Sequence, residues 1–169
     1  FTYAGGSGAD QVSVGTIEGV AAISLGDGEN QVSLGTASGA LNVTGGSKND
    51  TVNIGKFENG ATIAGGAGTN LVSVANGSTG TFSYSGGSGN DSVVLNTYLE
   101  DGMALIDVGD GANSVVASAD QGVGVKGGSG KNTIRAHSKS VINIDAGDGD
   151  NYIVADPDDG ATGVTVTIA

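Results

Sequence analysis

The chain has 169 residues, 33 of them Gly and one Pro, no Cys, and 18 acidic against 6 basic side chains for a formal net charge of −12. Such a length fits one domain, the absence of Cys excludes disulfides and thiolate metal sites, and glycine outside any Gly-X-Y triplet excludes collagen. The charge disfavours nucleic acid and anionic lipid as partners and favours cations, and no apolar run approaches the roughly 20 residues of a transmembrane segment.

Taken in chain order, one ten-letter unit recurs eight times. It reads GGSGADQVSV from Gly5, LGDGENQVSL from Leu25, GGSKNDTVNI from Gly45 and GGAGTNLVSV from Gly65. GGSGNDSVVL follows from Gly86, VGDGANSVVA from Val108, GGSGKNTIRA from Gly127 and AGDGDNYIVA from Ala146. The sixth letter is always a carboxylate or its amide: Asp10, Asn30, Asp50, Asn70, Asp91, Asn113, Asn132, Asn151. Successive spacings of 20, 20, 20, 21, 22, 19 and 19 residues are the signature of a solenoid.

Each coil carries two short stretches of strict alternation, which only strands can use, because successive strand side chains point to opposite faces. The apolar pairs run from Val12/Val14 to Ile153/Ala155 in one stretch and from Phe1/Tyr3 to Ile142/Ile144 in the other. Helix is excluded by the missing three-to-four periodicity and the recurrent Gly. The expected fold is therefore all-β: a parallel β-solenoid of eight coils with two facing parallel sheets, one domain over residues 1–169. Stacking at about 4.8 Å per coil predicts a rod on the order of 40 Å long, with four inward side chains per coil. Two kinds of turn join the strands: the Gly-rich hexad, and a plainer Gly-bounded corner read in GTIEG from Gly15 and GTASG from Gly35. Phe1 opens the chain in mid-pattern, so the expectation is a fragment or mature portion of a longer repeat protein.

The segments GGSGADQVS, GGSKNDTVN and GGSGNDSVV resemble the nonapeptide repeat of RTX proteins, the calcium-binding parallel β-roll of bacterial secreted proteins. Only one edge of each coil carries the hexad, and each coil is longer than two nonapeptides, so the likeness is to a half-decorated variant. It implies several Ca²⁺ ions along the Gly-rich edge, bound by the hexad Asp and by backbone carbonyls, and folding after export. Asp10, Asp50 and Asp91 occupy the family position. Asn30 keeps an oxygen there without the charge, and Asp27, Asp110 and Asp148, three residues before an Asn, read as relocated charge. The hexads ending in Asn70 and Asn132 hold no acid, and the second has Lys131. Calcium is a hard cation that takes six to eight oxygens, which a carboxylate and exposed carbonyls supply. A metal-free turn with stacked amides accounts for the same letters.

No constellation for catalysis is apparent, and the chain is expected not to be an enzyme. His137, in RAHSKS, falls in the plain corner and reads as a solvent-exposed turn residue; Glu100/Asp101 and Asp158/Asp159 read as solvated charge. Outward positions of the hexad-side strands turn apolar at Val94, Val116 and Val154 beside Tyr152, a modest docking patch or plain β-propensity. Phe1 with Tyr3 at one end, and Val164, Val166 and Ile168 at the other, lack polar caps, which points to head-to-tail self-association or to neighbouring domains of the same chain. The expected role is a secreted, calcium-stabilised structural module of a bacterial surface layer, adhesin or extracellular fibre. The alternative is the carboxy-terminal secretion and folding module of an exported enzyme or toxin.

Overall fold

The computed structural model describes residues 1–168, and strands and turns without helix make up the whole of them. In chain order the strands are β1 (Thr2–Ala4), β2 (Gln11–Ile17), β3 (Ala21–Ser24), β4 (Gln31–Ala37), β5 (Leu41–Thr44), β6 (Thr51–Phe57), β7 (Ala61–Gly66), β8 (Leu71–Val74) and β9 (Ser78–Thr79). They continue as β10 (Phe82–Gly86), β11 (Ser92–Glu100), β12 (Met103–Gly109), β13 (Ser114–Ala119), β14 (Gly122–Gly127), β15 (Thr133–Ser138), β16 (Val141–Asp145), β17 (Tyr152–Pro157) and β18 (Gly163–Thr167).

Two parallel sheets result. Sheet A runs β1-β3-β5-β7-β10-β12-β14-β16-β18, and sheet B runs β17-β15-β13-β11-β8-β6-β4-β2 with β9 beside β11. Each strand pairs with its counterpart one coil away, in the register that puts like letters over like: Val12 over Val32 and Val52, Ala21 over Leu41 and Ala61. The alternation therefore holds across whole columns. Val32, Val52, Val72, Val93, Val115 and Ile134 are buried from sheet B, and Ile23, Val43, Ile63, Tyr84, Ile106, Val125 and Ile144 from sheet A. Phe1 belongs to the inward column and is 48% exposed, beside the edge strand β1 of sheet A.

The core is thicker than four side chains per coil. The plain corner is not a simple turn: in β2, β4 and β6 the strand bends at Gly15, Gly35 and Gly55 and then continues in register for two more residues. Two successive exposed or half-exposed positions break the alternation there, so period two hides the next inward residue. That residue is Ile17, Ala37 or Phe57; in the later coils the same place is taken by the buried Ser78, by Leu99 after three outward positions, and by Ala119 and Ser138 in unbroken alternation. Phe57 stacks on Phe82 across the core at 6.1 Å. The bend needs glycine because the coils meet backbone to backbone; a Cβ on Gly35 would collide with the carbonyl oxygen of Gly15. A further inward residue comes from the first letter of three hexads, Leu25, Val108 and Ala146.

Candidate functional site

The hexad edge carries the recurrent polar position, and its side chains point into the rod. Asn30, Asp50, Asn70, Asp91, Asn113 and Asn132 are each at most 3% exposed, and only the terminal rungs Asp10 and Asn151 are half-exposed. A continuous ladder joins them. The N–H of Asp10 donates to Asn30 Oδ1 at 2.9 Å, that of Asn30 to Asp50 Oδ1 at 3.1 Å, and that of Asp50 to Asn70 Oδ1 at 3.0 Å. The series continues through Asp91, Asn113 and Asn132 to Asn151 Oδ1, at 2.8 to 3.3 Å. At three of the four Asn donor rungs Nδ2 adds a second bond along the ladder, Asn30 to Asp50 Oδ1 at 2.9 Å, Asn70 to Asp91 Oδ1 at 3.1 Å and Asn113 to Asn132 Oδ1 at 3.0 Å, whereas Asn132 Nδ2 donates to Ala146 O at 2.9 Å. A buried carboxylate bonded this way is stabilised more than by a neutral pair.

The glycine turn beside most rungs presents a matching group; Asp91, whose Oδ2 is buried without a hydrogen-bond partner among the described residues, is the exception. The Gly6 and Gly46 N–H groups donate to Asp10 Oδ2 and Asp50 Oδ2 at 3.3 and 3.2 Å. Where the hexad begins Leu-Gly or Val-Gly, the first glycine turns left-handed, with φ of 73° at Gly26 and 66° at Gly109. Carbonyls then face inward: Asn30 Nδ2 donates to Gly28 O at 3.0 Å, and Asn113 Nδ2 to Gly109 O and Gly111 O at 3.2 and 3.1 Å. Such backbone angles are open to glycine and strained for other residues.

The seven candidate metal ligands therefore separate into two sets. Asp10, Asn30, Asp50 and Asp91 are ladder rungs, while Asp27, Asp110 and Asp148 stand exposed on the outer rim. N–H donors address the Oδ1 of Asn30, Asp50 and Asp91 and the Oδ2 of Asp10 and Asp50, while Asp91 Oδ2 is buried without a hydrogen-bond partner. On the rim, Asp27 Oδ1 accepts the Ser47 hydroxyl at 2.7 Å, and Asp110 Oδ1 accepts the Ser129 hydroxyl and N–H, both at 2.8 Å. These last two bonds, the backbone one first, hold the Asp110 carboxyl below the usual carboxylate range. Each rim acid keeps a free oxygen, but Asp27, Asp110 and Asp148 lie in the second, sixth and eighth coils and do not converge. Among the described residues no group of three or more His, Asp or Glu is placed so that it could hold a metal ion.

A different cluster was not legible in the alternation. His137 lies in β15, half-buried, and is not a free turn residue: its Nε2 meets Asp158 Oδ1 at 2.6 Å, and its ring stands edge-on to Tyr98 at 5.0 Å. Lys139 packs over the same Tyr98 ring at 5.0 Å and pairs with Asp120 at 2.6 Å. Burial, reinforced by Asp158 and Asp120, pushes the Tyr98 phenol up to about 12. Tyr98, Ser118, His137 and Asp156 form one outward column past the bend of sheet B, visible in sequence only once the strand is known to continue through the corner. Asp158, whose Oδ2 also accepts the Tyr98 hydroxyl at 3.5 Å, thus has two partners where solvated charge was expected. Beside the cluster, Tyr152 is 53% exposed with Arg135 over its ring at 5.6 Å, while Val94, Val116 and Val154 are half-buried.

The outer face of sheet A holds a shallow depression of about 640 Å³. Its floor is Gly124, with Leu105 and Asn143 on either side and Asp107, Lys126 and Asp145 along one border; Lys126 reaches Asp107 at 3.3 Å. Compared with family models, with curated proteins and with solved structures, the chain matches none.

Proposed function

We propose that this chain is a structural rod module of a secreted bacterial assembly, such as a surface layer, an adhesin or an extracellular fibre. The observation that carries this reading is the ladder: the one polar position repeated in all eight coils is directed inward and bonded coil to coil, so the chain's recurrent chemistry serves stacking. A solenoid of this kind keeps two surfaces at a fixed distance, and its stability adds up coil by coil. Calcium enters the proposal at the rim, where Asp27, Asp110 and Asp148 are accessible, as a stabiliser added to a stack the ladder already holds. At a dissociation constant near 10⁻⁴ M and millimolar calcium, each site adds about 1.4 kcal/mol.

The second reading, a carboxy-terminal secretion and folding module, is favoured by the net charge of −12, which opposes compaction until cations screen it. Circular dichroism in chelator and then in millimolar calcium separates the two. The rod reading expects β-structure in chelator and a higher melting temperature once calcium is added. A chain that is unfolded in chelator and folds on calcium addition belongs to the second reading. A folded chain that calcium leaves unchanged removes the metal from both.

A further inference from the structure

The chain holds two Asn-Gly dipeptides, Asn59–Gly60 in the plain corner of the third coil and Asn76–Gly77 in that of the fourth. In such a pair the asparagine is open to attack by its own backbone, because glycine brings no side chain to hinder the approach of its nitrogen to the asparagine Cγ. Both asparagines are exposed. Their corners differ.

Asn59 is tethered on both sides. Its Nδ2 donates to the Ser38 carbonyl of the coil before, and Gly60, at a left-handed φ of 80°, gives its N–H to Thr79 O at 3.3 Å and accepts the Leu41 N–H at 3.2 Å. Closing a ring between Asn59 and Gly60 would break these bonds. Asn76 stands in a gap instead: β8 ends at Val74, pairing with β11 resumes at Ser78, and residues 75–77 have no register partner in the fifth coil. Gly55 O holds the Asn76 N–H at 2.8 Å, but among the described residues neither the Asn76 side chain nor the Gly77 N–H makes a hydrogen bond. Gly77 is open in space as well. A Cβ there would meet one atom within 4 Å, the flexible end of Glu100 at 3.7 Å, and its φ lies outside the left-handed region. The corner glycines Gly35 and Gly55 would strike backbone in the same place.

We propose that Asn76–Gly77 is a self-modification site of the rod, with water as its only co-reactant. The Gly77 nitrogen bonds to Asn76 Cγ, the Cγ–Nδ2 bond breaks, and Nδ2 leaves as ammonia with the proton that Gly77 gave up. Water then opens the cyclic imide at either of its carbonyls. Opening at Cγ leaves aspartate in an ordinary chain; opening at the backbone carbonyl leaves isoaspartate, with the chain rerouted through Cβ and Cγ. One water is consumed and one ammonia released, and nothing is oxidised or reduced. What the rerouting does follows from Asn76 O, which accepts the Ser78 hydroxyl at 3.1 Å while that hydroxyl accepts the Phe57 N–H at 3.1 Å. Ser78 is fully buried in the inward place that Phe57 and Leu99 fill in the adjoining coils. In the isoaspartyl product the Asn76 oxygen belongs to a free carboxylate beside a backbone longer by one carbon, so Ser78 loses its anchor and the fourth corner loosens.

The test ages the folded chain in warm, mildly alkaline buffer and maps its peptides by mass spectrometry, for wild type and Gly77→Ala. The Asn76 peptide is expected to gain the mass difference between a hydroxyl and an amino group and to split into aspartyl and isoaspartyl forms on chromatography. The Asn59 peptide should stay unchanged, and Gly77→Ala should lose the conversion. Chain aged to completion is expected to melt roughly 2–4 °C below unaged chain, the loss of one buried hydrogen bond at this chain length. Asn76→Asp, which adds the charge without rerouting the backbone, should melt with the unaged chain. An Asn76 that stays intact, equal conversion at Asn59, conversion undiminished in Gly77→Ala, or an aged chain that melts with Asn76→Asp each overturns the proposal.

Discussion

Whether a rung is Asp or Asn follows the neighbours it meets. Along the first five coils the letters alternate, Asp10, Asn30, Asp50, Asn70, Asp91, which keeps buried carboxylates two rungs apart instead of about 4.8 Å apart. The amide between them donates toward the next acid, and the turns beside Asp10 and Asp50 offer N–H where the turn beside Asn30 offers C=O. Asn70→Asp breaks this pattern twice, placing a third acid between Asp50 and Asp91 and deleting the Nδ2 donor to Asp91. We expect it to cost on the order of 3 kcal/mol at neutral pH, read as a lower urea midpoint at unchanged slope. The cost should shrink on acidification, as the added acid takes up a proton. A variant equal to wild type at neutral pH would show that the ladder amides do not carry stability.

At the scale of the strand, the informative feature is the bend. Alternation placed both sheets and all but the outermost inward pairs correctly from the letters alone, because a one-residue slip would turn every apolar column to solvent. It failed at Gly15, Gly35 and Gly55, where the strand turns without ending; period-two reasoning finishes there, and Phe57 then reads as a corner residue. Phe57→Ala is accordingly expected to cost about 3–5 kcal/mol, the loss of a fully buried aromatic stacked on Phe82. Val52→Asp should abolish cooperative melting by burying a charge in the two-sheet core, while Asn53→Asp on the outward face should change little. Equal melting temperatures for that pair would refute the register. The Tyr98–His137–Asp158 cluster was hidden for the same reason as Phe57, and the inward aim of the ladder for another: Asp and Asn suit tight turns, metal sites and amide stacks alike, and the letters do not choose between them.

For the molecule as a whole, the calcium experiment is decisive in a second way. Rim acids whose free oxygens lie on separate coils predict independent, weak sites, so calorimetry should give a shallow, non-cooperative isotherm. A steep one would mean that the ladder opens to admit the ion. The ladder also runs one way: every backbone N–H donates to the Oδ1 of the coil that follows it in sequence, 19 to 22 residues on. Closing such a loop costs about the same entropy at the eighth coil as at the second, and no rung of the ladder waits for a distant part of the chain, unlike the Tyr98–Asp158 contact, which joins residues 60 apart. A polypeptide delivered from its N-terminus can therefore wind up as it arrives, each new coil completing the hydrogen bonds left open by the one before it. Its growth is ratcheted, and stalled delivery would leave a shorter rod instead of a misfolded one.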